Sequence, residues 1–190
     1  MHNVYDCVDS FVSLLDTRYD LILGRKGVAV SLQITFDKKD CYHLMGLQYL
    51  KDRPELNRDR GKIFDELRAR KLTKEKIESS DFYDKIKVRI DMLPYLESLF
   101  DSNETIFKYN QKINKFSMIK ADYLMKNRII NQTVFVFLAR NVENTYFCRS
   151  FFTEDKVDYS KNQASWTLLH KKKIRISTGE EMILYNRIDK

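Results

Sequence analysis

Hydrophobic and polar positions in the first hundred residues follow mainly the three- to four-residue spacing of amphipathic helices. Residues 4–23 repeat apolar side chains at this spacing and are followed by Gly24, which predicts one long helix. Residues 27–36 differ, because apolar and polar side chains alternate strictly there, and this pattern predicts a half-buried strand. Further short helices are predicted over residues 41–50, 63–71, 73–77, 81–93 and 95–100.

After residue 103 the hydrophobic period changes to the two-residue period of strands. Residues 134–138 are apolar without alternation, which predicts a central strand covered on both faces. Strands are predicted over residues 105–109, 120–126, 133–139, 145–152, 164–172 and 182–187. The fold class is therefore α+β, with N-terminal helices and one early strand packed on a C-terminal, mostly antiparallel sheet of about four to six strands. We expect a single domain over residues 1–190, with a mainly helical part (1–104) and a sheet part (105–190).

The composition excludes several classes of protein. The chain has 12 Phe and 11 Tyr, and disordered chains are poor in such residues. No apolar run approaches the roughly 20 residues of a membrane span, and the N-terminus turns acidic at Asp6 and Asp9, unlike a secretory signal. A cytoplasmic protein without a membrane partner is therefore expected. Cys7, Cys41 and Cys148 lie too far apart in sequence for a zinc motif, and they are predicted to be small core residues.

The net charge of +7 favours binding to a polyanion such as nucleic acid, although it also serves solubility alone. The positive charge is concentrated in the C-terminal half, where Lys112 and Lys115 lie within the first basic segment. The residues predicted to bind an RNA backbone are Lys108, Lys120, Lys171, Lys172, Lys173 and Arg175. The alternative is that these cations keep hairpin tips soluble and unable to pair edge to edge. A second basic cluster, Arg58, Arg60, Arg68, Arg70 and Lys71, is diluted by acidic residues and is predicted to be a solvated helix face.

His43 is the first candidate for chemistry, at the third position of Cys-Tyr-His-Leu-Met-Gly-Leu in a predicted helix. An imidazole titrates near neutral pH, as general acid–base work on a ribose hydroxyl or a leaving oxygen requires. The alternative is a structural histidine that is hydrogen-bonded where a helix meets a sheet.

Arg149 is the second candidate, because it lies within a hydrophobic strand. Alternation predicts that it shares a face with Phe147 and Phe151, and a charge in such a position must be paired or lie at a wet cleft. A guanidinium matches phosphate geometry with a forked pair of donors. The alternative is an edge-strand arginine paired with a carboxylate such as Asp122.

Hydroxyl groups of two predicted strands complete the candidate catalytic set. Ser150 follows Arg149, and Thr167 is predicted to share a face of the next strand with Ser165 and Lys171. Such hydroxyls can hydrogen-bond a phosphate, and the alternative is that they are ordinary solvent-facing strand residues. The sequence contains no glycine-rich phosphate loop, no nucleophile elbow and no grouped carboxylates of a two-metal nuclease. Phosphoryl chemistry would therefore be independent of metal, and no cofactor is expected.

Several short motifs resemble a known family, the phage-associated barnase–EndoU–colicin–RelE-like nuclease domains of mobile elements in low-GC Gram-positive bacteria. The similarity covers roughly residues 20–187. The motifs are Phe36-x6-His43-Leu44-x-Gly46-Leu47, Phe107-Lys108-Tyr109-Asn110, Lys120-Ala121-Asp122-Tyr123-Leu124, Cys148-Arg149-Ser150-Phe151-Phe152 and Trp166-Thr167-Leu168-Leu169. The resemblance implies helices packed on a four-stranded antiparallel sheet and a ribonuclease or toxin role in a bacterial cytoplasm. Of the family's catalytic residues it carries over only His43 and Arg149, because the usual Glu–Arg–His set is not recognisable.

Two functions fit these features. The first is a metal-independent ribonuclease of a phage or mobile element, in which the 2′-hydroxyl attacks the adjacent phosphate, His43 moves the proton and Arg149 stabilises the developing charge. Its partners would be RNA and an antidote or target protein. The second is a non-catalytic anti-defence protein that binds and inhibits a host nucleoprotein or protein complex through the same basic face.

Overall fold

The structure is a computed structural model that describes residues 1–103, 105–114 and 117–188. Contacts between Cα atoms divide the chain into two compact units, each built from two segments. Unit 1 comprises Met1–Leu15 and Asp37–Glu97, and unit 2 comprises Asp16–Phe36 and Ser98–Lys190. Lys115 of the predicted basic segment lies outside the described residues. The prediction that the whole chain is one domain stays a prediction.

Unit 1 is helical. Its helices are α1 (Val4–Leu15), α2 (Lys38–Met45), α3 (Arg60–Arg68), α4 (Lys74–Glu78), α5 (Asp84–Met92) and the start of α6 (Leu96–Asp101). The side chains that repeat at helical spacing form a buried core, in which the rings of Phe11 and Phe64 meet edge to face at 6.3 Å. The bounds of α3, α4, α5 and α6 lie within three residues of the predicted ones, whereas α2 begins three residues and ends five residues earlier than predicted.

The predicted long helix over residues 4–23 is wrong in its second half. Helix α1 ends at Leu15, and Thr17–Arg25 forms strand β1. Arg18 and Asp20 alternate with buried side chains along this strand, which is the two-residue period of a half-buried strand. The three- to four-residue spacing over these positions arose because β1 carries Leu21, Ile22 and Leu23 in succession.

Unit 2 is a sheet of eight strands within the described residues. After β1 come β2 (Val28–Ile34), β3 (Thr105–Lys108), β4 (Tyr123–Ile129), β5 (Gln132–Arg140), β6 (Tyr146–Thr153), β7 (Ala164–Arg175) and β8 (Glu181–Asn186). The α+β class is confirmed, and every predicted strand is present. The sheet is nevertheless larger than the four to six strands expected from the sequence.

The sheet closes on itself. Its strand order is β1-β2-β6-β5-β4-β3-β7-β8, and β1 also pairs with β7, so that seven strands form a barrel and β8 extends from β7. Among the strands of the described residues, all pairings are antiparallel except that of β2 with β6, which is a parallel bridge between Ile34 and Tyr146. The additional strands belong to the hairpin β1–β2, whose first strand lies within the segment predicted to be helical.

Strand β5 is covered on both faces, as its continuous apolar run predicts, and residues 134–138 are all buried. On one face, Phe135 and Phe137 pack with Tyr109 and Leu124 in an aromatic cluster, against which Phe152 and Tyr159 also pack. The rings of Phe137 and Phe152 stack at 5.4 Å, and Tyr159 lies edge to face against Phe137 at 5.5 Å. This aromatic cluster is a hydrophobic core of unit 2.

A buried lysine anchors the end of α6 within unit 2. Lys171 is 0% exposed, and its Nζ donates to the carbonyl oxygen of Phe100 at 2.9 Å and to that of Ser102. These carbonyls lie at the end of the helix, where backbone acceptors lack partners within the helix. Next to them, the Lys173 Nζ binds Asp101, whose Oδ1 also accepts from the Tyr19 hydroxyl at 2.6 Å.

Helix α2 begins with a capping box in unit 1. The Asp37 side chain accepts from the backbone N–H of Lys39, and the Asp40 Oδ2 accepts from the backbone N–H of Asp37 at 2.9 Å. Asp40 is only 5% exposed. Burial raises the pKa of its carboxyl to about 6, because the charged form loses hydration.

We expect Asp40 to make folding stability depend on pH. Because the pKa of Asp40 is higher in the folded than in the unfolded chain, protonation of its carboxyl stabilises the folded state, and this contribution is complete below about pH 4. The free energy of unfolding then falls by about 3 kcal/mol as the pH rises through 6. Asp40→Asn keeps an oxygen acceptor for Asp37 but cannot ionise. Urea denaturation of both proteins between pH 4 and pH 7.5 should show their stabilities diverging over this range, and a constant difference would contradict the assignment.

We expect Lys171→Ala to lower the free energy of unfolding by about 3 kcal/mol, because it leaves buried carbonyls without a donor and opens a cavity. The matched control is Lys172→Ala, since the Lys172 Nζ forms a partly exposed ion pair with Glu181 at 2.8 Å. That control should change stability by less than about 1 kcal/mol. Urea denaturation at pH 7 measures both, and equal losses would show that burial of Lys171 is not what stabilises this region.

Candidate functional site

His43 lies in the last turn of α2 and is half-buried. Gly46 ends the helix in the left-handed conformation at φ 84°, and its N–H donates to the His43 carbonyl oxygen at 3.0 Å. A Cβ atom on Gly46 would lie 2.9 Å from Ile86 Cγ2, so a glycine suits both the conformation and the packing. The fixed end of α2 holds the imidazole in place.

Arg60, the first residue of α3, contacts the imidazole. Its Nη1 is hydrogen-bonded to the His43 Nε2, and its guanidinium carbon lies 5.5 Å from the centre of the Tyr42 ring. A guanidinium can only donate hydrogen bonds, so Nε2 must be the acceptor and carry a lone pair. No carboxylate among the described residues forms an ion pair with Arg60, which is exposed. The pair therefore joins a potential base to a cation that can bind an anion.

An open cavity of about 380 Å³ lies at the first turns of α2 and α3, and Arg60, but not His43, lines it. It is lined by Asp37, Lys39, Arg58, Asp59, Arg60 and Gly61. Both aspartates are occupied as helix caps, since Asp37 accepts from the N–H of Lys39 and Asp59 accepts from the N–H of Lys62 at 2.8 Å. The positive ends of two helices border this cavity, together with three cations and the two aspartates. Lys39 pairs with Asp37 at 3.7 Å and Arg58 pairs with Glu66, whereas Arg60 pairs with no carboxylate of the described residues. An anionic ligand is therefore favoured at Arg60 and the helix ends.

Arg60 is exposed, as the predicted solvated face of the second basic cluster requires. Arg58 agrees with that prediction, because it forms a two-fold contact with the exposed carboxylate of Glu66. Arg60 instead contacts His43, from which it is separated by seventeen positions in sequence. No local spacing signals this contact. The capping aspartate at position 59 does indicate that Arg60 begins a helix, but not what that helix faces.

Arg149 lies on β6 in unit 2, at a β-bulge. Leu138 of β5 pairs with Cys148 and Phe137 pairs with Ser150, so Arg149 is the extra residue. The predicted face shared by Phe147, Arg149 and Phe151 is wrong, because the bulge shifts the alternation and Phe151 is buried while Arg149 is exposed.

The ion pair of Arg149 with Asp122, offered as an alternative, is absent from the described structure. Asp122 binds Lys108 instead, with 3.7 Å between Nζ and Oδ1. Since His43 belongs to unit 1 and Arg149 to unit 2, a joint role of the two residues stays a prediction.

The predicted hydroxyl groups are in unit 2. Ser150 is half-buried opposite Phe137, and Thr167 is exposed on β7 opposite Gly24 of β1. Thr167 and Lys171 do not share a face, because a register shift at Leu169 moves Lys171 to the buried side. The roles of Ser150 and Thr167 stay predictions.

The predicted nucleic-acid-binding residues differ in accessibility. Lys108 and Lys120 are exposed, and Lys172 is half-buried in its ion pair with Glu181. Arg175 donates to the Thr17 hydroxyl at 3.2 Å. Lys171 and Lys173 are bonded within unit 2 as described above, so in this structure their ammonium groups are not accessible to an RNA backbone.

Two searches of the described residues concern metals and membranes. No group of three or more His, Cys, Asp or Glu side chains in residues 1–103, 105–114 and 117–188 is arranged to hold a metal ion. Independence from metal stays a prediction. Over the same part of the chain, no helix has the length and apolar composition that a membrane crossing requires.

Comparison with known proteins identifies a family. The family model described as phage-Barnase-EndoU-ColicinE5/D-RelE like nuclease4 matches residues 3–187. No curated protein and no solved structure matches the chain. The family match covers almost the whole sequence and confirms the resemblance seen in the short motifs, whereas the bacterial host stays a prediction. The chain therefore belongs to this family of phage-associated, nuclease-like proteins.

Proposed function

We propose that the protein is an endoribonuclease that cleaves RNA by attack of the 2′-hydroxyl on the adjacent phosphate. The observation that carries this proposal is the contact between the His43 Nε2 and the guanidinium of Arg60, which also lines an open cavity at the first turns of α2 and α3. The family of nuclease-like proteins supplies the class of reaction, and the residue types supply the means.

His43 is the general base in this proposal. Its Nε2 lone pair takes the proton of the 2′-hydroxyl, whose oxygen then forms a bond to phosphorus. The bond from phosphorus to the 5′-oxygen breaks, and that oxygen takes a proton from solvent. The products are a 2′,3′-cyclic phosphate and a 5′-hydroxyl, and no step requires a metal ion.

Arg60 binds the phosphate that is attacked. When a phosphate enters the cavity, the guanidinium exchanges its bond to the imidazole for bonds to the non-bridging oxygens, which leaves Nε2 ready to accept a proton. Lys39 lies on the same cavity and adds positive charge as negative charge develops on phosphorus. The base and its anion-binding partner are thus in contact before substrate arrives.

Residues of unit 2 contribute RNA contacts in this proposal. Arg149, Ser150 and Thr167 remain proposed phosphate contacts, and Lys108, Lys120, Lys172 and Arg175 remain proposed backbone contacts. Lys171 and Lys173 are omitted, because their ammonium groups bond to Phe100, Ser102 and Asp101.

We expect separate His43→Ala and Arg60→Ala variants to cleave a fluorescent single-stranded RNA at least about 100-fold more slowly than the original protein. Arg149→Ala should slow cleavage as well, because Arg149 is a proposed phosphate contact. Initial rates at saturating RNA, with circular dichroism to verify folding, measure these effects. The matched control is Arg68→Ala, because Arg68 is an exposed arginine of the same helix α3 and lies outside the cavity lining. Full activity of the His43→Ala variant would overturn the assignment.

The products and cofactor dependence test the chemistry separately. Mass spectrometry should find 2′,3′-cyclic phosphate and 5′-hydroxyl ends, and RNA with 2′-O-methyl groups should remain intact because it lacks the nucleophile. Cleavage should be unchanged in excess EDTA. Products with 5′-phosphate ends, or complete loss of activity with EDTA and recovery with a divalent metal, would contradict the proposal.

A further inference from the structure

A second group of ionisable side chains lies in unit 2, where β3, β4, β5 and β6 start or end. Lys108 ends β3 and pairs in register with Tyr123, which begins β4. Arg140 ends β5 and pairs in register with Tyr146, which begins β6. The strand register therefore brings these four side chains to one end of the barrel.

The two tyrosine rings are buried and hold each other in place. Tyr123 is 4% and Tyr146 is 9% exposed, and their rings meet edge to face at 5.6 Å. Neither hydroxyl has a hydrogen-bond partner in the described part of the chain. Neither hydroxyl oxygen is fully buried either, because the fully buried polar atoms that lack a partner there belong to other residues. Both hydroxyls therefore reach solvent as oriented donors on rigid rings. Burial of the rings raises the pKa of both hydroxyls, so they keep their protons at neutral pH.

Asp122 fixes the surrounding cations. Its Oδ2 accepts from the backbone N–H of Arg140 at 3.0 Å, and its Oδ1 lies 3.7 Å from the Lys108 Nζ. That Nζ also lies 4.4 Å from the centre of the Tyr123 ring. The Arg140 side chain is exposed, and no ion pair among the described residues uses its guanidinium. Two cations and one carboxylate leave a positive excess at this end of the barrel.

The turn after Arg140 is also ordered. The Asn141 Oδ1 accepts from the backbone N–H groups of Glu143 and Thr145, each at 3.0 Å, and the Asn141 Nδ2 donates to the Thr145 hydroxyl at 2.6 Å. This network joins the end of β5 to the start of β6. Arg140 and Tyr146 are consequently presented from a rigid hairpin rather than from a mobile loop.

We propose that Lys108, Tyr123, Arg140 and Tyr146 form a phosphate-binding site for the backbone of single-stranded RNA, separate from the His43–Arg60 site. Guanidinium and hydroxyl donors suit the non-bridging oxygens of a phosphodiester, and Lys108 adds a point charge. The buried rings cannot stack on bases, so the site recognises the backbone and not the sequence. The choice of RNA as ligand rests on the proposed function.

The test measures binding of a fluorescein-labelled, fully 2′-O-methylated 12-nucleotide RNA by fluorescence anisotropy. This probe cannot be cleaved by 2′-hydroxyl attack, so affinity is measured apart from catalysis. The double variant Tyr123→Phe with Tyr146→Phe removes both hydroxyls and keeps both rings, and it should weaken binding about tenfold. Arg140→Ala should weaken binding by a similar factor and reduce the slope of log affinity against log salt by about one.

The matched control is Lys161→Ala, because Lys161 is an exposed cation of unit 2 outside the cluster, and it should change affinity less than about twofold. The inference is overturned if the double tyrosine variant binds like the original protein, if Arg140→Ala has no larger effect than Lys161→Ala, or if the original protein does not bind the probe. Weakened binding in the cluster variants supports it even if His43→Ala leaves cleavage unchanged, an outcome that would refute only the proposed function.

Discussion

The pairing of β1 with β7 is the constraint on which unit 2 depends. It runs in register from Thr17 with Arg175 to Gly24 with Thr167, and it closes the sheet into a barrel. Closure removes two exposed sheet edges and encloses Tyr19, Leu21 and Leu23. Because of this pairing, residues 16–36 belong to unit 2, although helices of unit 1 precede and follow them in sequence. A unit made mostly of C-terminal strands therefore includes a hairpin from the first fifth of the chain.

The same pairing explains why a lysine can be buried. The register shift at Leu169 turns Lys171 to the side of Leu21, its partner on β1. A charge in that position requires strong acceptors, and the carbonyl groups at the end of α6 supply them. Lys171 and Lys173, two lysines of one basic run, thus bind acceptors inside unit 2. Clusters of charge in a sequence do not distinguish cations that face solvent from those that complete an interior network.

Periodicity predicted most helices and strands, because burial on one face imposes its period on any sequence. It failed at β1, where three successive apolar residues fit both the helical and the strand period. Only the alternation of Arg18 and Asp20 with buried residues favoured a strand. It also failed at the bulge of Arg149. The extra residue there reverses which side chains of β6 face the core, and no pattern of residue types signals it. For the candidate site, the sequence indicated the imidazole of His43. Its partner Arg60 could not be found, because the contact depends on how α2 and α3 pack.

The parallel bridge between Ile34 and Tyr146 has a consequence for how the barrel forms. Among the described residues, this seam contains one bridge, extended by a bond of 2.9 Å from the Thr35 N–H to the Tyr146 carbonyl oxygen, whereas the antiparallel seams are ladders of several pairs. Most of those ladders join neighbours in sequence, so their hairpins can form early and at little entropic cost. Joining β2 to β6 closes the long loop between Ile34 and Tyr146, and very few backbone hydrogen bonds offset the entropy that this closure costs. The barrel should therefore assemble from preformed hairpins and complete this seam last, and in the native state the seam should exchange its amide protons ahead of the ladders.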